Sequence, residues 1–425
     1  MSNEALKTRL EEQIEARRDE IVALCSNLIK IPSENPPGDM HEIAGWLQKY
    51  LEEQGFQVNT YEPETGRISV VTQLGSGSGR TLILNGHMDV VPAGDVTHWD
   101  FDPFCGEVRE GKILGRGATD MKGGLTTLIA AMVIISEIAG PPPGTLILTA
   151  VPDEETGGEF GSKWLVDSGT VKGDACLIGE PATVLGTFVG EKGLCWMKLK
   201  AKGRPAHGSM PVLGENAIVK LATALPLIQQ IEEDHVEIPA DIAEIVAGSK
   251  VLFKQMRLST SGEERAARVS HFVDHCSVNV GVIQGGAKIN MVPDECMAEV
   301  DVRVPAGTTP EEVRDRVMEL LEQAGLEDIE CEIFTRSDPN YTPPTEEIYR
   351  LVVANAKRVT GTEPKPLFIT GGTDCRFFRL KGIPAICYGP GELLYIHAYN
   401  ELVTVDNLIS ATKVVAGVIV DYLYH

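Results

Sequence analysis

Residues 81–95 read TLILNGHMDVVPAGD, and this stretch decides the predicted fold. Its first half is a short apolar run of the kind that forms a buried strand. His87 and Asp89 follow, and because side chains alternate along an extended chain, both point to the same face. Taken alone, the pair also fits a solvated strand end with two unrelated polar residues, so the decision rests on the remaining sequence.

Comparable apolar runs recur along the chain and predict further strands. They are RISVVTQL at 67–74, TLILTAV at 145–151, DACLIGE at 174–180 and IPAICYG at 383–389. Helical patterns separate several of them, for example MKGGLTTLIAAMVIISEIAG at 121–140. Strands that alternate with helices predict an α/β fold with a mixed, largely parallel sheet flanked by helices.

The pattern of predicted secondary structure changes at about residue 187. From there the predicted order of elements is β-α-β-β-α-β, which indicates a small α+β sandwich unit. Alternating strands and helices return after about residue 341. We therefore predict a first domain at 1–186 and 338–425 with a second domain, 187–337, inserted into it. A polar-rich excursion at 234–275 carries no structural prediction.

Composition excludes several classes of protein. The 425 residues include 61 acidic and 38 basic side chains, and the resulting net charge of −23 argues against a nucleic-acid or anionic-membrane partner. Nine cysteines without a CxxC pair indicate reduced thiols rather than a disulfide framework or a thiolate zinc site. No apolar run is long enough for a membrane helix and the charged N-terminus is no secretory signal, so we expect a cytoplasmic protein.

Four predicted strands are each followed by histidine or acidic side chains. The run at 81–86 leads to His87 and Asp89, the run at 145–151 to three acids at 153–155, the run at 174–179 to Glu180, and the last towards His397. The carboxyl ends of parallel strands lie along one edge of a sheet, where ligands bind. Carboxylates gathered there repel one another and resist ionisation unless a cation joins them.

Asp120, in GRGATDMKGGL at 115–125, is the next candidate. A phosphate-binding loop is excluded because the third glycine of GxGxxG is replaced by Asp120 and no GK[ST] follows. A helix N-cap is the alternative. The glycines permit a tight turn that presents this carboxylate to the same sheet edge, and two histidines with three carboxylates suit two divalent metal ions.

These motifs together resemble one family. GHMDVV, GRGATDMKGG, PDEETGG, GEP, GRPAHGSMP, GGTDCRFF and HAYNE are similar, in order, to the signatures of the dinuclear metal-dependent deacylase and peptidase family. That family includes acetylornithine deacetylase, succinyl-diaminopimelate desuccinylase, aminoacylase and carboxypeptidase G. The resemblance implies a zinc-exopeptidase-like first domain and a ferredoxin-like lid and dimerisation domain.

The resemblance also implies roles for residues of the first domain. His87, Asp120 and Glu180 would hold one ion, and Asp120, Glu155 and His397 the other. Asp89 would accept the free ring N–H of His87 and so fix its tautomer. Glu154 would be the general base that activates water and then protonates the leaving amine.

In the lid, the resemblance implies that His207 reaches across a dimer to stabilise the oxyanion in the partner's site. Arg303 and Asn290 resemble positions that hold a substrate carboxylate or the oxyanion, although an arginine on a strand is also a common salt-bridge partner. Gly371 and Gly372 are expected to let backbone N–H groups approach the substrate, with a plain turn as the alternative.

We therefore predict a homodimeric metallohydrolase that cleaves the C–N bond of an N-acyl amino acid or a related small amide. Its expected cofactors are two divalent ions per chain, zinc by preference, with cobalt or manganese also suited to imidazole and carboxylate ligands. One alternative is a deaminase or deformylase of aromatic or heterocyclic amines on the same centre. The other is a catalytically dead, metal-binding scaffold.

Overall fold

The computed structural model describes residues 2–75, 77 and 79–424, and the chain divides into two compact units. The first unit comprises Met1–Val189, Thr342–Pro366 and Thr373–His425, and the second comprises Gly190–Tyr341 and Leu367–Gly372. The predicted boundaries at 187 and 337 differ from these by a few residues. The sequence also assigned 367–372, with Gly371 and Gly372, to the first domain, whereas they pack with the second unit.

The helices have the following bounds: α1 Asn3–Ala16, α2 Arg18–Ile29, α3 His41–Glu53, α4 Lys122–Ile138, α5 Ser162–Asp167, α6 Ala217–Ile228, α7 Ala243–His271, α8 Pro310–Gln323, α9 Glu347–Thr360, α10 Cys375–Arg379 and α11 Val405–Leu423. Two of them, α4 and α11, are apolar on nearly all sides and buried along almost their whole length. A helix that is hydrophobic all round belongs in a core. Both pack in the first unit, where they contact each other.

The strands have the following bounds: β1 Val58–Glu64, β2 Arg67–Gly75, β3 Thr81–His87, β4 Val108–Arg109, β5 Lys112–Leu114, β6 Thr145–Val151, β7 Ala175–Ile178, β8 Gly186–Glu191, β9 Gly193–Lys202, β10 Ser277–Gly285, β11 Glu295–Val304, β12 Glu330–Ser337, β13 Asn340–Tyr341, β14 Lys365–Ile369, β15 Ala385–Cys387 and β16 Leu402–Thr404. In the main sheet of the first unit, the order is β1-β2-β6-β3-β7-β15-β8. Strands β6, β3, β7 and β15 are mutually parallel, and β1 and β2 are antiparallel additions. The predicted mixed, largely parallel sheet is confirmed.

The second unit contains a four-stranded sheet in the order β10-β11-β9-β12, in which every neighbouring pair is antiparallel. Along β9 and β11, buried side chains alternate with ones that are mostly half-buried, as expected for a sheet with one covered face. Helices α6 and α8 supply the cover and share a core with these strands. This is the order that a β-α-β-β-α-β unit produces, as the sequence predicted.

The excursion at 234–275 is mostly the 29-residue helix α7, which is interrupted at Gly262. Gly262 has φ +78° and ψ 166°, so two helical segments meet at this residue. An ion pair of 2.6 Å joins Lys254 to Glu263 across the interruption. Within the part of the chain that the structure describes, no helix is both long and apolar enough to cross a membrane.

Candidate metal centre

The ends of three parallel strands bring the first candidate ligands together. Strand β3 ends at His87, β7 ends just before Glu180, and β6 ends just before the short 3-10 turn Glu154–Thr156. In the register of the sheet, His87 lies opposite Val151. Since these strands are parallel, their carboxyl ends meet at one edge of the sheet, which is where the sequence placed the site.

Asp120 reaches this edge from a loop that only glycine permits. Gly117 has φ +86°, and a side chain there would collide with Val90 and Lys122. In α4, a side chain at Gly124 would overlap the carbonyl of Gly179. The helix therefore packs directly against the segment that leads to Glu180, and this close approach places Asp120 beside that carboxylate.

His397 lies in an irregular segment between β15 and β16. Its φ of +57° is in the left-handed region, which costs a non-glycine residue conformational energy and so requires support from its surroundings. The side chain is half exposed. Unlike His87, it lies on no helix or strand.

Two groups of three potential ligands have donor atoms within 4.8 Å of one another, and Asp120 belongs to both. In the first, His87 Nε2 lies 3.2 Å from Asp120 Oδ1 and 3.6 Å from Glu180 Oε1. In the second, His397 Nε2 lies 3.4 Å from Asp120 Oδ2 and 3.0 Å from Glu155 Oε2. The two oxygens of Asp120 thus face different histidines, as those of a carboxylate that bridges two divalent ions do.

Burial and neighbouring charges shift the pKa values of the carboxylates in the site. Burial raises the pKa of Glu180 well above its usual value, and the Asp120 carboxylate adds to the rise. Burial and Asp120 likewise raise the pKa of Glu155. At Asp120 burial acts in the same direction, but hydrogen bonds from His397 and His87 outweigh it and lower the pKa. Like charges in a buried space need cations, and here the imidazole rings are the nearest ones.

The nearby carboxylates raise the pKa values of both histidines. Burial opposes the charged form of His87, but the carboxylates of Asp120 and Asp89 raise its pKa well above the usual value. Hydrogen bonds with Asp120 and Glu155 raise the pKa of His397 to about 10. A metal ion binds only the neutral imidazole, so ions bound at these residues would displace protons.

One buried acceptor supports a metal site at these residues. Oε1 of Glu155 is buried and has no hydrogen-bond partner. Leaving such an acceptor unsatisfied costs about 1–3 kcal/mol, and more for a charged group. A divalent ion satisfies it, and the full donor set of two imidazoles and three carboxylates suits zinc, cobalt or manganese.

Asp89 contacts both His87 and the loop after β6. Nδ1 of His87 lies 2.8 Å from the backbone carbonyl oxygen of Asp89 and 3.5 Å from its Oδ1, so the carbonyl is the nearer acceptor. The carboxylate instead accepts the backbone N–H groups of Glu154 and Glu155, each at 3.2 Å. It also accepts the side-chain amide of Asn35 at 2.8 Å. The backbone geometry at the end of β3 turns the carboxylate towards the loop after β6.

Glu154 is partly buried beside the candidate ligands. Burial raises its pKa well above the usual value, and the charges of Asp374 and Glu155 add to the rise. His87 and Arg376 act in the opposite direction. A carboxylate whose pKa is shifted upwards is suited to accept and return a proton near neutral pH.

Sequence reasoning missed two polar groups of the first unit. Asp374 is buried and accepts hydrogen bonds from Ser162 at 2.7 Å and Asn85 at 3.2 Å. Arg376, on α10, donates to the carbonyl oxygen of Gly157 at 2.9 Å. Both residues lie in the motif GGTDCRFF, in which only the glycines were predicted to have a role.

A buried ion pair was also missed. Arg116 Nη1 lies 2.6 Å from Glu401 Oε2, and the two residues are 2% and 0% exposed. Burial raises the pKa of Glu401 to about 7, against the influence of Arg116. Both residues stand within quoted motifs, GRGATDMKGG and HAYNE, but a charge next to a ligand in sequence does not reveal its partner.

The remaining predicted residues lie in the second unit. The segments of His207 and Asn290 are neighbours there, because the backbone N–H of Gly208 donates to the carbonyl oxygen of Asn290 at 2.8 Å. Both residues are exposed. Arg303 lies at the C-terminal end of β11, whereas Asn290 precedes that strand. Nε of Arg303 is 3.0 Å from Asp301. Gly371 is exposed with open space around it.

Comparison with known proteins identifies the family. Residues 83–421 match the model of peptidase family M20/M25/M40. A succinyl-diaminopimelate desuccinylase of Rhodospirillum centenum is 31% identical over 408 residues, which cover 92% of this chain and 95% of that protein. A probable succinyl-diaminopimelate desuccinylase of Staphylococcus aureus is 28% identical over 414 residues, which cover 95% of this chain and 98% of that protein.

Solved structures of low sequence identity share the fold. An M20 family metallo-carboxypeptidase from Sulfolobus solfataricus is 21% identical with a TM-score of 0.77, and the match covers 95% of this chain and 99% of that one. A dinuclear metal-binding peptidase of the M20 family from Bacillus subtilis is 15% identical with a TM-score of 0.65, covering 96% and 99%. The resemblance drawn from the sequence motifs is thereby confirmed, and the chain belongs to peptidase family M20/M25/M40, a family of metal-dependent hydrolases of amide bonds.

Proposed function

We propose that this protein hydrolyses the amide bond of an N-acyl amino acid, using two divalent ions and Glu154 as the general base. The observation that carries the proposal is the position of Asp120, whose two oxygens face two different histidines. One ion would be held by His87, Asp120 and Glu180, and the other by Asp120, Glu155 and His397. Zinc is the expected ion, with cobalt and manganese as alternatives.

Ions bound at these residues supply Lewis-acid polarisation of the amide carbonyl and lower the pKa of water. Glu154 accepts a proton from the attacking water molecule as its oxygen bonds to the carbonyl carbon. When the C–N bond breaks, Glu154 returns that proton to the departing nitrogen. The products are a carboxylic acid and an amine, which become a carboxylate and an ammonium ion at neutral pH, and no covalent intermediate with the protein is required.

The surroundings of Glu154 suit this role. The Asp89 carboxylate holds the backbone N–H groups of Glu154 and Glu155, so one anchor fixes both the base and a ligand. Neighbouring side chains diverge, which lets Glu155 face an ion while Glu154 faces the substrate. Arg376 provides positive charge near Glu154 in the same unit. That charge favours a substrate with a carboxylate, as an N-acyl amino acid has.

The names of the relatives narrow the choice of acyl group in the substrate. The proteins of Rhodospirillum centenum and Staphylococcus aureus are named as desuccinylases, the latter as a probable one. Succinyl is a dicarboxylic acyl group, so its amide with an amino acid carries carboxylates on both sides of the scissile bond. We therefore place N-succinyl amino acids first among the candidate substrates.

We further propose a homodimer in which His207 stabilises the oxyanion in the site of the partner subunit. Its support is an apolar surface on the two loops that meet at His207 and Asn290. Ile289 is 101% exposed, Val212 86% and Leu213 61%, and Met210 and Met291 are also exposed. Apolar side chains clustered at one end of a unit indicate a protein interface.

The proposed compartment is the cytoplasm. All nine cysteines lie within the described residues, and no disulfide joins any two of them there. Sγ of Cys375 lies 3.4 Å from Sγ of Cys387 without forming a disulfide. The proposal rests on the sequence, because nine cysteines without a CxxC pair are typical of a protein from a reducing compartment.

The proposal is tested by hydrolysis of a substrate panel. The purified chain is loaded with zinc, cobalt or manganese and given N-succinyl and N-acetyl amino acids, dipeptides and formylated aromatic amines, with release of amine as the readout. We expect the N-acyl amino acids to be cleaved and the N-succinyl compounds to be preferred. Cleavage of the aromatic amines alone would support the alternative reaction, and inactivity of the metal-loaded chain on every compound would support a dead scaffold.

A further inference from the structure

Strand pairing brings Arg116 and Glu401 together next to the proposed metal centre. Strand β5 ends at Leu114, two residues before Arg116, and β16 begins at Leu402, one residue after Glu401. Leu114 lies opposite Leu402 in the antiparallel register. The chain therefore places the guanidinium and the carboxylate at the same end of this small sheet, where they form the buried ion pair.

The Glu401 carboxylate holds the segment that carries Asp120. Its Oε1 accepts the backbone N–H of Thr119 at 2.8 Å and the backbone N–H of Asp120 at 3.0 Å. Its backbone carbonyl accepts the N–H of Gly115 at 3.0 Å. The loop before α4 is thus attached to Glu401 at both of its ends.

Arg116 holds the segment that carries His397. The nitrogen Nη1 that contacts Glu401 also donates to the carbonyl oxygen of Ala398 at 3.1 Å. Ala398 directly follows His397, whose left-handed backbone no helix or strand supports. One buried charge pair consequently connects two ligand segments that are distant in sequence.

We propose that the Arg116–Glu401 pair sets the spacing between Asp120 and His397 and thereby the affinity for the second metal ion. Both residues are positioning residues, since neither is among the candidate ligands. The inference rests on the proposed function, because it presumes two ions. The subsite of Asp120, Glu155 and His397 takes two ligands from segments that the pair holds, whereas the subsite of His87, Asp120 and Glu180 takes one. Loss of the pair should therefore weaken one ion selectively.

The energetics of buried ion pairs agree with a positional role. Desolvation of two charges consumes much of their mutual attraction, so such pairs contribute little to stability compared with apolar residues of similar size. Removing only one partner leaves a buried charge uncompensated and threatens the fold. A double replacement by apolar side chains of similar size avoids that problem, and it removes the hydrogen bonds to both ligand segments.

Three proteins and the wild type provide the test. The first is the double variant Arg116→Met/Glu401→Met, and the second is Glu401→Asp, which keeps the charge but is too short to reach both segments. The control is Arg80→Gln/Glu347→Gln, which removes another ion pair of 2.6 Å from the same unit. Zinc affinities are measured for each ion by competition with a chromophoric chelator, and the thermal midpoint of every protein is measured in excess EDTA.

We expect the wild type and the control to bind two ions with unchanged affinities. Both site variants should keep the first ion and bind the second at least about 10-fold more weakly, as loss of an outer hydrogen-bond partner does in other metal sites. Their thermal midpoints in EDTA should equal that of the wild type. A weakened second ion with an intact metal-free fold separates positioning from general stabilisation.

The other outcomes overturn the inference in distinguishable ways. Two ions bound as tightly as in the wild type would show that the pair does not set the spacing, and the proposed function would stand. Equal weakening of both ions, or failure of both site variants to fold in EDTA, would make the pair a purely structural element. A wild-type chain that binds fewer than two ions would overturn the proposed function and this inference with it.

Discussion

The carboxylate of Asp89 accepts the backbone N–H of Glu154 at 3.2 Å, and this contact joins the end of β3 to the loop after β6. A second contact of the same length, to the backbone N–H of Glu155, completes a two-pronged anchor. Both oxygens of one carboxylate are therefore used on a single short turn. The position of the proposed base depends on Asp89, although the two residues follow different strands.

The Asp89 anchor predicts a specific effect of Asp89→Asn. Asparagine keeps one acceptor oxygen but presents an NH2 group to the other backbone N–H, so the turn should shift. We expect kcat to fall about 10-fold to 100-fold, the usual effect of losing an outer hydrogen-bond partner. The backbone carbonyl that His87 contacts is unchanged, so elemental analysis should still find two ions. Loss of an ion would instead show that the Asp89 side chain positions a ligand, either His87 or Glu155.

Asp120→Ala should abolish metal binding, because the missing carboxylate contributes to both groups of ligands. The fold should survive, since the core of α4 and the main sheet does not depend on this side chain. The measurement is metal content after dialysis, with circular dichroism to verify the fold. Asp19→Ala, which removes an exposed carboxylate from α2, is the control. Retention of both ions by Asp120→Ala would exclude a bridging role.

Glu154→Ala should separate metal binding from turnover. Glu154 belongs to neither group of candidate ligands, so both ions should remain bound. Turnover should fall about 100-fold to 10,000-fold, as expected for loss of a general base. Glu159→Ala, in the exposed turn that follows, serves as the control. Near-normal kcat with intact metal content would remove Glu154 from the mechanism.

The sequence was sufficient to predict the sheet and the cluster at its edge. The runs before His87 and Glu180 are short and apolar, and parallel pairing then determines that their ends meet. What the sequence could not predict is long-range pairing of charges. Glu401 becomes a partner of Arg116 only because β5 pairs with β16, and strands of three residues carry almost no periodic signal.

Two further features depend on tertiary context in the same way. The contact of Asp89 with the loop after β6 follows from the backbone direction at the end of β3, which alternation alone does not define. The excursion at 234–275 gave no prediction because its polar residues obscure the periodicity of α7. Its interruption at Gly262 also divides α7 into two helical segments.

Lys192 predicts a dependence of stability on pH. Its Nζ donates to the carbonyl oxygens of Phe272 at 2.9 Å and His275 at 2.6 Å, and burial lowers its pKa to about 7. In the unfolded chain its pKa is about 10.4. Between these values the unfolded state binds a proton that the folded state lacks, so the free energy of unfolding contributed by Lys192 rises with pH and is constant below about pH 7.

Lys192→Met should remove this contribution. The expected result is a wild-type stability that rises more steeply than that of the variant between about pH 7 and pH 10. Urea unfolding at several pH values in that window provides the measurement, and Lys288→Met, at an exposed position of the same unit, is the control. Parallel curves for wild type and Lys192→Met would contradict the lowered pKa.

The loop of His207 predicts complementation between inactive chains. His207 and Asn290 lie on neighbouring exposed segments that carry the apolar side chains Val212, Leu213 and Ile289, a surface suited to a second copy of the chain. If His207 completes the site of the partner subunit, Glu154→Ala and His207→Ala each inactivate every site of their own homodimer. A mixed dimer would contain one site with an intact Glu154 from one chain and an intact His207 from the other.

We expect a mixture of the two inactive proteins to regain part of the activity once subunits exchange. One lost oxyanion donor costs about 3–4 kcal/mol, so a single restored site should be easily detected above either parent. Exchange is followed independently by mass spectrometry of differently tagged chains, and a mixture of Glu154→Ala with Asp120→Ala is the control, because both changes lie in the same site and cannot complement. Demonstrated exchange without recovered activity would mean that His207 acts within its own chain or takes no part in the reaction.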